Sequence, residues 1–186
     1  TGSFARSVYY NSIPFTVYVS WSVSLLLFGA SLSPQILAGI LIAVLMGMTV
    51  HEFAHNYVGH LMGDPVPSQT GRLTLDPTKH IYWPGFLMFV LIGFGILGSA
   101  PISASRMHNP RWGYLAAVAA GPFSNLLLAA IFAIPLRLFP TMPDFLIVLF
   151  YMIVFWNVLL FVFNLLPLFP IDGWHIVLAL LPPDLQ

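Results

Sequence analysis

The chain contains long runs of residues without a charged side chain, and these runs restrict the fold more than any other feature. Residues 145–171 form an unbroken run of 27, and residues 36–50 are 15 further residues that carry no charge and are mostly apolar. A helix crosses the hydrocarbon core of a membrane with about 20 apolar residues. Only 6% of the 186 residues are charged and 59% are hydrophobic, whereas soluble domains carry about 25% charged residues. The sequence therefore predicts an integral membrane protein.

The apolar segments predict an all-α polytopic fold with about four transmembrane helices. They cover residues 14–30, 35–62, 84–99, 112–138 and 145–164, with a short tail at 176–181. The third segment is short, is interrupted by four glycines and has a proline near each edge. We therefore expect it to be re-entrant or only partly inserted, which is tolerated where backbone lines a wet cavity. We predict a single domain over residues 1–186, interpret residues 1–3 as an expression scar, and expect the full protein to continue beyond Gln186.

The main polar stretch, residues 63–80, separates the second and third apolar segments. Within it, residues 71–76 alternate polar and apolar side chains and include β-branched Thr74, a pattern typical of a strand. Glycines and prolines on both sides predict turns. We therefore predict a small β-hairpin or β-loop next to the second apolar segment.

The sequence His51-Glu-Phe-Ala-His55 lies towards the end of the second apolar segment, and Glu52 is the one glutamate in the chain. Residues four apart on a helix share a face, so His51 and His55 can hold one zinc ion together. Glu52 then lies beside the metal, where it can take a proton from water. Ionisable side chains within a membrane-length helix are costly and are retained mainly for function. The motif therefore predicts a zinc metalloprotease with its active site inside the bilayer.

A third ligand is needed, because a catalytic zinc ion usually has three protein ligands and one open position. The chain has no cysteine, and the remaining candidates are Asp64, Asp76, Asp144, Asp172, Asp184, His60, His80, His108 and His175. Asp172 stands out because it ends the run of 27 uncharged residues. Pro167 and Pro170 end the helix before it, and Gly173 permits a tight turn after it. The alternative is a hydrated aspartate that caps the tail helix.

Two asparagines of the later apolar segments, Asn125 and Asn164, are candidate site residues. Asn125 is costly in lipid unless it is paired, so it indicates either a helix–helix hydrogen bond or a residue of a polar cleft. Asn164 lies eight residues before Asp172 and could donate a hydrogen bond to the oxyanion of a tetrahedral intermediate.

The cationic residues predict the orientation in the membrane, because short cytoplasmic loops are enriched in Lys and Arg. If the N-terminus is cytoplasmic and the third segment dips in and returns, five of the six cations lie inside and only Arg137 lies outside. A third segment that spans fully would put Arg106 and Arg111 outside. The first arrangement also places Asp172 on the same side as His51. We therefore expect a multi-pass protein of a prokaryotic cell membrane with its active site near the cytoplasmic side.

Three motifs in the same order resemble the site-2 protease family of intramembrane zinc metalloproteases. They are His51-Glu-Phe-Ala-His55, Gly121-Pro-Phe-Ser-Asn125 and Asn164-Leu-Leu-Pro-Leu-Phe-Pro-Ile-Asp172-Gly173. Residues 71–80 are also similar to the hairpin of the subgroup that lacks a PDZ insertion. The resemblance implies that His51, His55 and Asp172 bind one zinc ion per chain and that Glu52 is the general base.

The resemblance further implies a substrate cleft lined by Asn164 and Asn125. It implies that the hairpin, with Arg72, Leu73 and Thr74, pairs with an unwound substrate helix. An exposed strand edge can hold an extended peptide by main-chain hydrogen bonds, and a transmembrane helix must unwind before its backbone can be attacked.

The predicted function is hydrolysis of peptide bonds within or near transmembrane segments of membrane proteins. The expected partners are a transmembrane protein or peptide and the lipid bilayer, and the formal net charge of zero gives no indication of nucleic acid. One alternative is a membrane metal-binding or transport protein, which would use the histidine pair without needing Glu52. Another is a non-proteolytic structural or chaperone-like relative.

Overall fold

The computed structural model describes residues 34–139 and 141–182, and the regular structure in those ranges is helical. In chain order the elements are α1 (Pro34–Leu61), α2 (Val66–Gln69), a 3₁₀ turn at Pro77–Lys79, α3 (Trp83–Ile92), a second 3₁₀ turn at Ala104–Arg106, α4 (Pro110–Leu138), α5 (Asp144–Asn164) and α6 (Asp172–Leu180).

Three of these helices are long and apolar enough to cross a membrane. Helices α1, α4 and α5 contain 28, 29 and 21 residues, and at about 1.5 Å per residue each exceeds the ~30 Å hydrocarbon core. The sequence predicted them as residues 35–62, 112–138 and 145–164, so all three are confirmed as helices of membrane-spanning length. The segment predicted at residues 14–30 lies outside the described residues.

Helices α1 and α4 pack side by side in opposite directions. His51 on α1 contacts Asn125 on α4, whereas His55, one turn later, contacts Ala117, two turns earlier. The end of α1 therefore lies beside the beginning of α4. This arrangement follows from the polar segment between them, which starts and finishes at the same end of the bundle.

Helix α5 runs parallel to α1. Gly39 faces Met152, and Gly47 faces Asn157, while the fully buried Ala43 allows the two helices to approach closely. The C-terminal ends of α1 and α5 and the N-terminal end of α4 consequently lie together. Helix α6 follows at that same end and packs against α4.

Helix α3 forms the segment that was expected to be re-entrant, and its 10 residues extend about 15 Å, half of the hydrocarbon core. Gly93 ends the helix with a left-handed φ of 77°, which glycine adopts without steric cost. After Gly93 the chain turns back towards the start of α3. The Tyr82 N–H donates to the Leu97 carbonyl at 2.8 Å, and Ile81 forms an antiparallel bridge with Gly98. The segment therefore leaves and returns at one level instead of continuing across.

The β-hairpin predicted at residues 71–76 is not confirmed, because no strand occurs among the residues that the structure describes. The chain turns at Gly71, and the Arg72 N–H donates back to a carbonyl of α2 at 2.8 Å. At the other end, the His80 Nε2 lies 2.6 Å from the Thr74 carbonyl oxygen. The alternating pattern indicated an extended chain, but hydrogen bonds across two turns hold these residues and no second strand lies beside them. We call residues 71–76 the 71–76 loop.

An ion pair between the buried Asp64 and the exposed Arg106 joins the start of the polar segment to the residues before α4. The fully buried Asp64 accepts hydrogen bonds from Arg106 at 2.7 and 2.9 Å, and from the Ser103 and Val66 N–H groups at 2.9 and 3.0 Å. Burial alone would raise the pKa of Asp64, but these hydrogen bonds hold its pKa below the ordinary value.

Candidate metal centre

Three side chains converge at the end of the bundle where α1, α4, α5 and α6 meet. His51 and His55 lie one turn apart on α1, and their Nε2 atoms are 3.0 Å apart. Asp172, the first residue of α6, places its Oδ2 3.0 Å from the Nε2 of His51 and 3.3 Å from that of His55. Within the described parts of the chain, this is the one group of His, Asp or Glu side chains that could hold a metal ion.

Hydrogen bonds on the far side of each ring determine which nitrogen faces this group. The His51 Nδ1 lies 2.7 Å from the Asn125 Oδ1, and the Asn125 Nδ2 donates to the Gly47 carbonyl at 3.0 Å. The His55 Nδ1 lies 2.8 Å from the Ala117 carbonyl oxygen. Both partners of the rings are acceptors, so each Nδ1 carries the proton and donates it. Each Nε2 of a neutral ring therefore presents a lone pair to the other and to Asp172.

The converging atoms have no proton donor among them, and this suits a cation. Two imidazole lone pairs and a carboxylate oxygen lie about 3 Å apart, and the Asp172 Oδ2 is buried without a hydrogen-bond partner. Such a set is repulsive unless a positive charge lies between its members. Two histidine nitrogens, one carboxylate and no thiolate match the ligands of catalytic zinc sites, which use three protein ligands. The residues present therefore fit zinc.

Gly121 allows the histidine pair to lie against α4. A Cβ atom at this position would collide with the His55 ring and would lie 2.8 Å from the His51 Nε2. The sequence singled out Gly121 as part of a motif, but its contact with both rings depends on how the helices pack.

Asp172 is held in place by the loop before it and by the far end of its own helix. A Cβ atom on Gly173 would collide with the Leu166 carbonyl, so glycine allows α6 to start against the end of α5. At the other end of α6, the Arg111 guanidinium donates to the carbonyls of Ala179 and Leu180, each at 2.9 Å. The sequence analysis did not identify this role of Arg111, because a cap on a distant helix end leaves no local pattern.

Glu52 lies next to His51 on α1 and is buried, with 3% of its surface exposed. Its Oε2 has no hydrogen-bond partner, and a Cβ atom on Gly98 would lie 2.6 Å from its Oε1. The returning chain after α3 therefore covers the carboxylate. Asn56, one turn further along α1, is fully buried and donates to the Glu52 backbone carbonyl at 2.7 Å.

The structure places the asparagines of the later helices in different settings. Asn125 is fully buried, and its amide bonds His51, Gly47 and Asn157, so it makes the helix–helix contact that was one of its two predicted roles. Asn164 is half-buried at the end of α5 and donates to a carbonyl of its own helix at 2.9 Å. Asn157 was not predicted, although an asparagine in an apolar run is the same signal that identified Asn125.

The 71–76 loop keeps several main-chain groups free. The Arg72 guanidinium donates to the Ser99 carbonyl at 2.8 Å and so ties the loop to the chain returning from α3. The backbone N–H groups of Leu73, Thr74 and Leu75 donate to no atom of the described residues. The loop therefore offers backbone donors that have no acceptor among the described residues, and it is tied to the segment that covers Glu52.

A long apolar bundle in which two buried histidines meet an aspartate defines a membrane protein with a candidate metal centre. No protein-family model and no solved structure matches the chain. Among curated proteins, it is 34% identical over 155 residues to the "Putative zinc metalloprotease YwhC" of Bacillus subtilis, covering 79% of this chain and 71% of that protein. It is also 28% identical over 168 residues to the "Putative zinc metalloprotease Rip2" of Mycobacterium tuberculosis, covering 85% of this chain and 64% of that protein.

These relatives are members of the site-2 protease family, and the chain belongs to this family of zinc metalloproteases. The chain spans less than two thirds of the length of Rip2 and about seven tenths of the length of YwhC.

Proposed function

We propose that the protein is an intramembrane zinc metalloprotease that hydrolyses peptide bonds within or near transmembrane segments. The observation that carries this proposal is the convergence of three acceptor atoms, from His51, His55 and Asp172, beside the buried Glu52. The family membership and the three helices of membrane-spanning length support it.

In this proposal, the two Nε2 atoms and the Asp172 carboxylate hold one zinc ion. When bound there, zinc supplies a Lewis acid that polarises the peptide carbonyl and acidifies water. Glu52 accepts the proton of the attacking water and then gives it to the nitrogen of the breaking C–N bond, so that an amine leaves. The lack of a hydrogen-bond partner at the Glu52 Oε2 leaves that oxygen available to receive the proton.

The 71–76 loop is the proposed site for the unwound part of the substrate. Within the part of the chain that the structure describes, the backbone N–H groups of Leu73, Thr74 and Leu75 have no acceptor, and an extended peptide can pair with such groups whatever its sequence. A groove of about 390 Å³ lies between this loop and α1, with Leu75 and Leu45 among its lining residues. We propose that Asn164, at the end of α5, contributes to the polar lining of the cleft.

The distribution of charge supports a cytoplasmic position for this end of the bundle. Arg72, Lys79, Arg106 and Arg111 lie in or beside the segment that joins α1 to α4, whereas Arg137 lies near the opposite end of α4. Cationic residues accumulate on the cytoplasmic side. We therefore propose that the metal centre opens towards the cytoplasmic face of a prokaryotic cell membrane.

The test combines metal analysis with cleavage of a transmembrane substrate. Protein purified in detergent is analysed for zinc, reconstituted into vesicles, and assayed against a helical transmembrane peptide that contains a helix-breaking residue. We expect one zinc ion per chain, and cleavage that Glu52→Gln lowers by about 10²–10⁴-fold while zinc is retained. Asp144→Asn, at the opposite end of the bundle, is the matched control and should change neither quantity.

The outcomes separate the protease from the alternative of a membrane metal-binding or transport protein. Near-normal turnover in Glu52→Gln would contradict the proposed role of Glu52. Stoichiometric zinc in a wild-type protein that cleaves no transmembrane peptide would favour the metal-binding alternative.

A further inference from the structure

We propose that Asn125 and Asn157 act together to fix which nitrogen of His51 faces the metal, and thereby set the zinc affinity of the centre. They are positioning residues, because both lie behind the His51 ring and neither supplies a ligand atom. The proposal rests on the proposed function for the presence of zinc, and it assigns a role to Asn157, which belongs to no motif of the sequence.

The orientation of the Asn125 amide is determined by its surroundings. Its Nδ2 lies 3.0 Å from the Gly47 carbonyl oxygen and 2.9 Å from the Asn157 Oδ1. A carbonyl oxygen can only accept, so the amide nitrogen must point towards these two atoms. The Asn125 Oδ1 then faces the His51 Nδ1 at 2.7 Å, and the ring must donate from Nδ1.

Asn157 holds Asn125 in this orientation. Its own Nδ2 donates to the Ile153 carbonyl at 2.8 Å, so its Oδ1 is the atom that faces Asn125. The two amides therefore form a series of hydrogen bonds that begins at a backbone carbonyl of α5 and ends at His51 on α1. Gly47 makes room for it, because a Cβ atom there would lie 2.7 Å from the Asn157 Oδ1.

Because these hydrogen bonds are buried, they determine the orientation of the His51 ring. Asn125 and Asn157 are both fully buried, so bulk water cannot replace a lost hydrogen bond. Without the Asn125 oxygen, the His51 Nδ1–H would be buried and unpaired. The ring then recovers a hydrogen bond by rotating or by moving its proton from Nδ1 to Nε2. Either change removes the Nε2 lone pair that would bind the metal.

His55 provides an internal contrast. Its Nδ1 donates to the backbone carbonyl of Ala117, which no substitution of a side chain can delete. Of the two histidines, only His51 depends on side chains for its orientation, so replacing those side chains tests the idea selectively.

The experiment measures zinc affinity by competition with a chelator in detergent-purified wild type, Asn125→Leu, Asn125→Asp and Ser124→Ala. Loss of an outer hydrogen-bond partner costs about 10–100-fold in metal affinity, and we expect this loss in Asn125→Leu. Asn125→Asp keeps an oxygen facing the His51 Nδ1 but loses the bonds to Gly47 and Asn157, so its loss of zinc affinity should be smaller than that of Asn125→Leu. Ser124→Ala, the matched control on the same helix, deletes only a hydrogen bond to the Gly121 carbonyl and should have no effect.

A spectroscopic readout separates positioning from helix packing. In the zinc-loaded wild type, the His51 Nδ1 proton should give a downfield proton resonance protected from exchange. It should persist in Asn125→Asp and disappear in Asn125→Leu. If Asn125→Leu does not fold, Asn157→Leu tests the same series of hydrogen bonds. A zinc affinity below that of wild type but above that of a His51→Ala variant then supports the proposal.

Two results would overturn this proposal alone, and a third would overturn the proposed function as well. Equal zinc affinity in wild type, Asn125→Leu and Asn157→Leu would show that the amides do not orient His51. Equal losses in Asn125→Leu and Asn125→Asp would show that Asn125 only joins the helices, since both variants lose its bonds to Gly47 and Asn157. A wild-type protein that binds no zinc would overturn the proposed function itself, and this proposal with it.

Discussion

The metal centre and the 71–76 loop lie at the same end of the bundle, but the Nδ1 donors of the two histidines are paired, whereas several backbone donors of the loop have no acceptor among the described residues. At the centre, His51 and His55 each donate from Nδ1 to a defined acceptor, and the supporting Asn125 uses its whole amide within the protein. In the loop, three consecutive residues from Leu73 have backbone N–H groups that donate to no described atom.

This difference matches what the two regions must do in the proposed function. Ligand atoms have to be held in one geometry before the metal arrives, because ordering them afterwards would lower its affinity. A surface that receives a changing series of peptides needs backbone groups that are free to pair. The four predictions below change one region while leaving the other intact, in order of decreasing effect.

The largest effect is expected from Gly121→Ala, which disturbs the centre alone. The added Cβ atom would collide with the His55 ring, so one ligand must move or α4 must shift. We expect zinc affinity to fall by about 100-fold or more, at or beyond the upper limit for a lost outer-shell partner. Zinc affinity is measured by chelator competition, with Ser124→Ala as the control, and an affinity equal to that of wild type would show that the helices do not pack as described.

The reverse change disturbs the loop alone. Leu73→Pro and Thr74→Pro, made singly, each remove a backbone donor that has no acceptor among the described residues, so zinc affinity should not change. Cleavage of a transmembrane peptide should fall by up to about tenfold, as for one lost hydrogen bond, and cleavage of a short extended peptide should fall less.

Leu73→Ala is the matched control for the proline variants, because it changes the side chain and keeps the N–H. Unchanged cleavage in both proline variants would mean that the loop is only a structural cover for the cavity. Loss of zinc in the same variants would mean that the loop and the centre are not independent.

A smaller effect is expected from Arg111→Gln, which weakens the support of Asp172 from a distance. Arg111 donates to the last carbonyls of α6. A cation at a helix C-terminus raises the equilibrium constant for forming the helix by a factor of about 2–5. We expect zinc affinity to fall by about that factor. Arg137→Gln, at the other end of α4, is the control, and identical affinities in the two variants would show that the end of α6 does not position its beginning.

The smallest effect is expected from Asp64→Asn, which removes the ion pair with Arg106 in the polar segment between α1 and α4. The pKa of Asp64 is held below its ordinary value, so the pair stabilises the folded state above the unfolded pKa of about 3.9, and this contribution is lost as the pH falls through the folded pKa. The Tm of wild type should exceed that of Asp64→Asn by about 2–4 °C at pH 7. Thermal unfolding in detergent should show this gap narrowing below about pH 4, and a constant gap down to pH 3 would contradict the assignment.

The parts of the fold and site that depend on local spacing were predictable from sequence. The four-residue spacing of His51 and His55 put both rings on one face, and the helix break before Asp172 placed a carboxylate at the end of a long apolar run. The number of cations on each side favoured a third segment that returns, and the short α3 with its Ile81–Gly98 bridge has that form.

The parts that depend on packing between distant segments were not predictable. Nothing near Gly121 or Asn157 in the sequence shows that one lies against the histidine rings and the other behind them, because helix rotation and register decide both contacts. The predicted β-hairpin was not confirmed for a related reason, since alternation in residues 71–76 indicates an extended chain but not a partner strand.

The central claim is that His51, His55 and Asp172 together hold one zinc ion, and X-ray absorption at the zinc edge tests it most directly. For wild-type protein loaded with one zinc per chain, we predict two imidazole nitrogens at about 2.0–2.1 Å and carboxylate oxygen at about 2.0–2.2 Å. In Asp172→Ala, zinc should be bound far more weakly, and any remaining metal should keep both imidazoles. A spectrum with fewer than two imidazoles in the wild type, or full zinc occupancy and an unchanged spectrum in Asp172→Ala, would contradict the account.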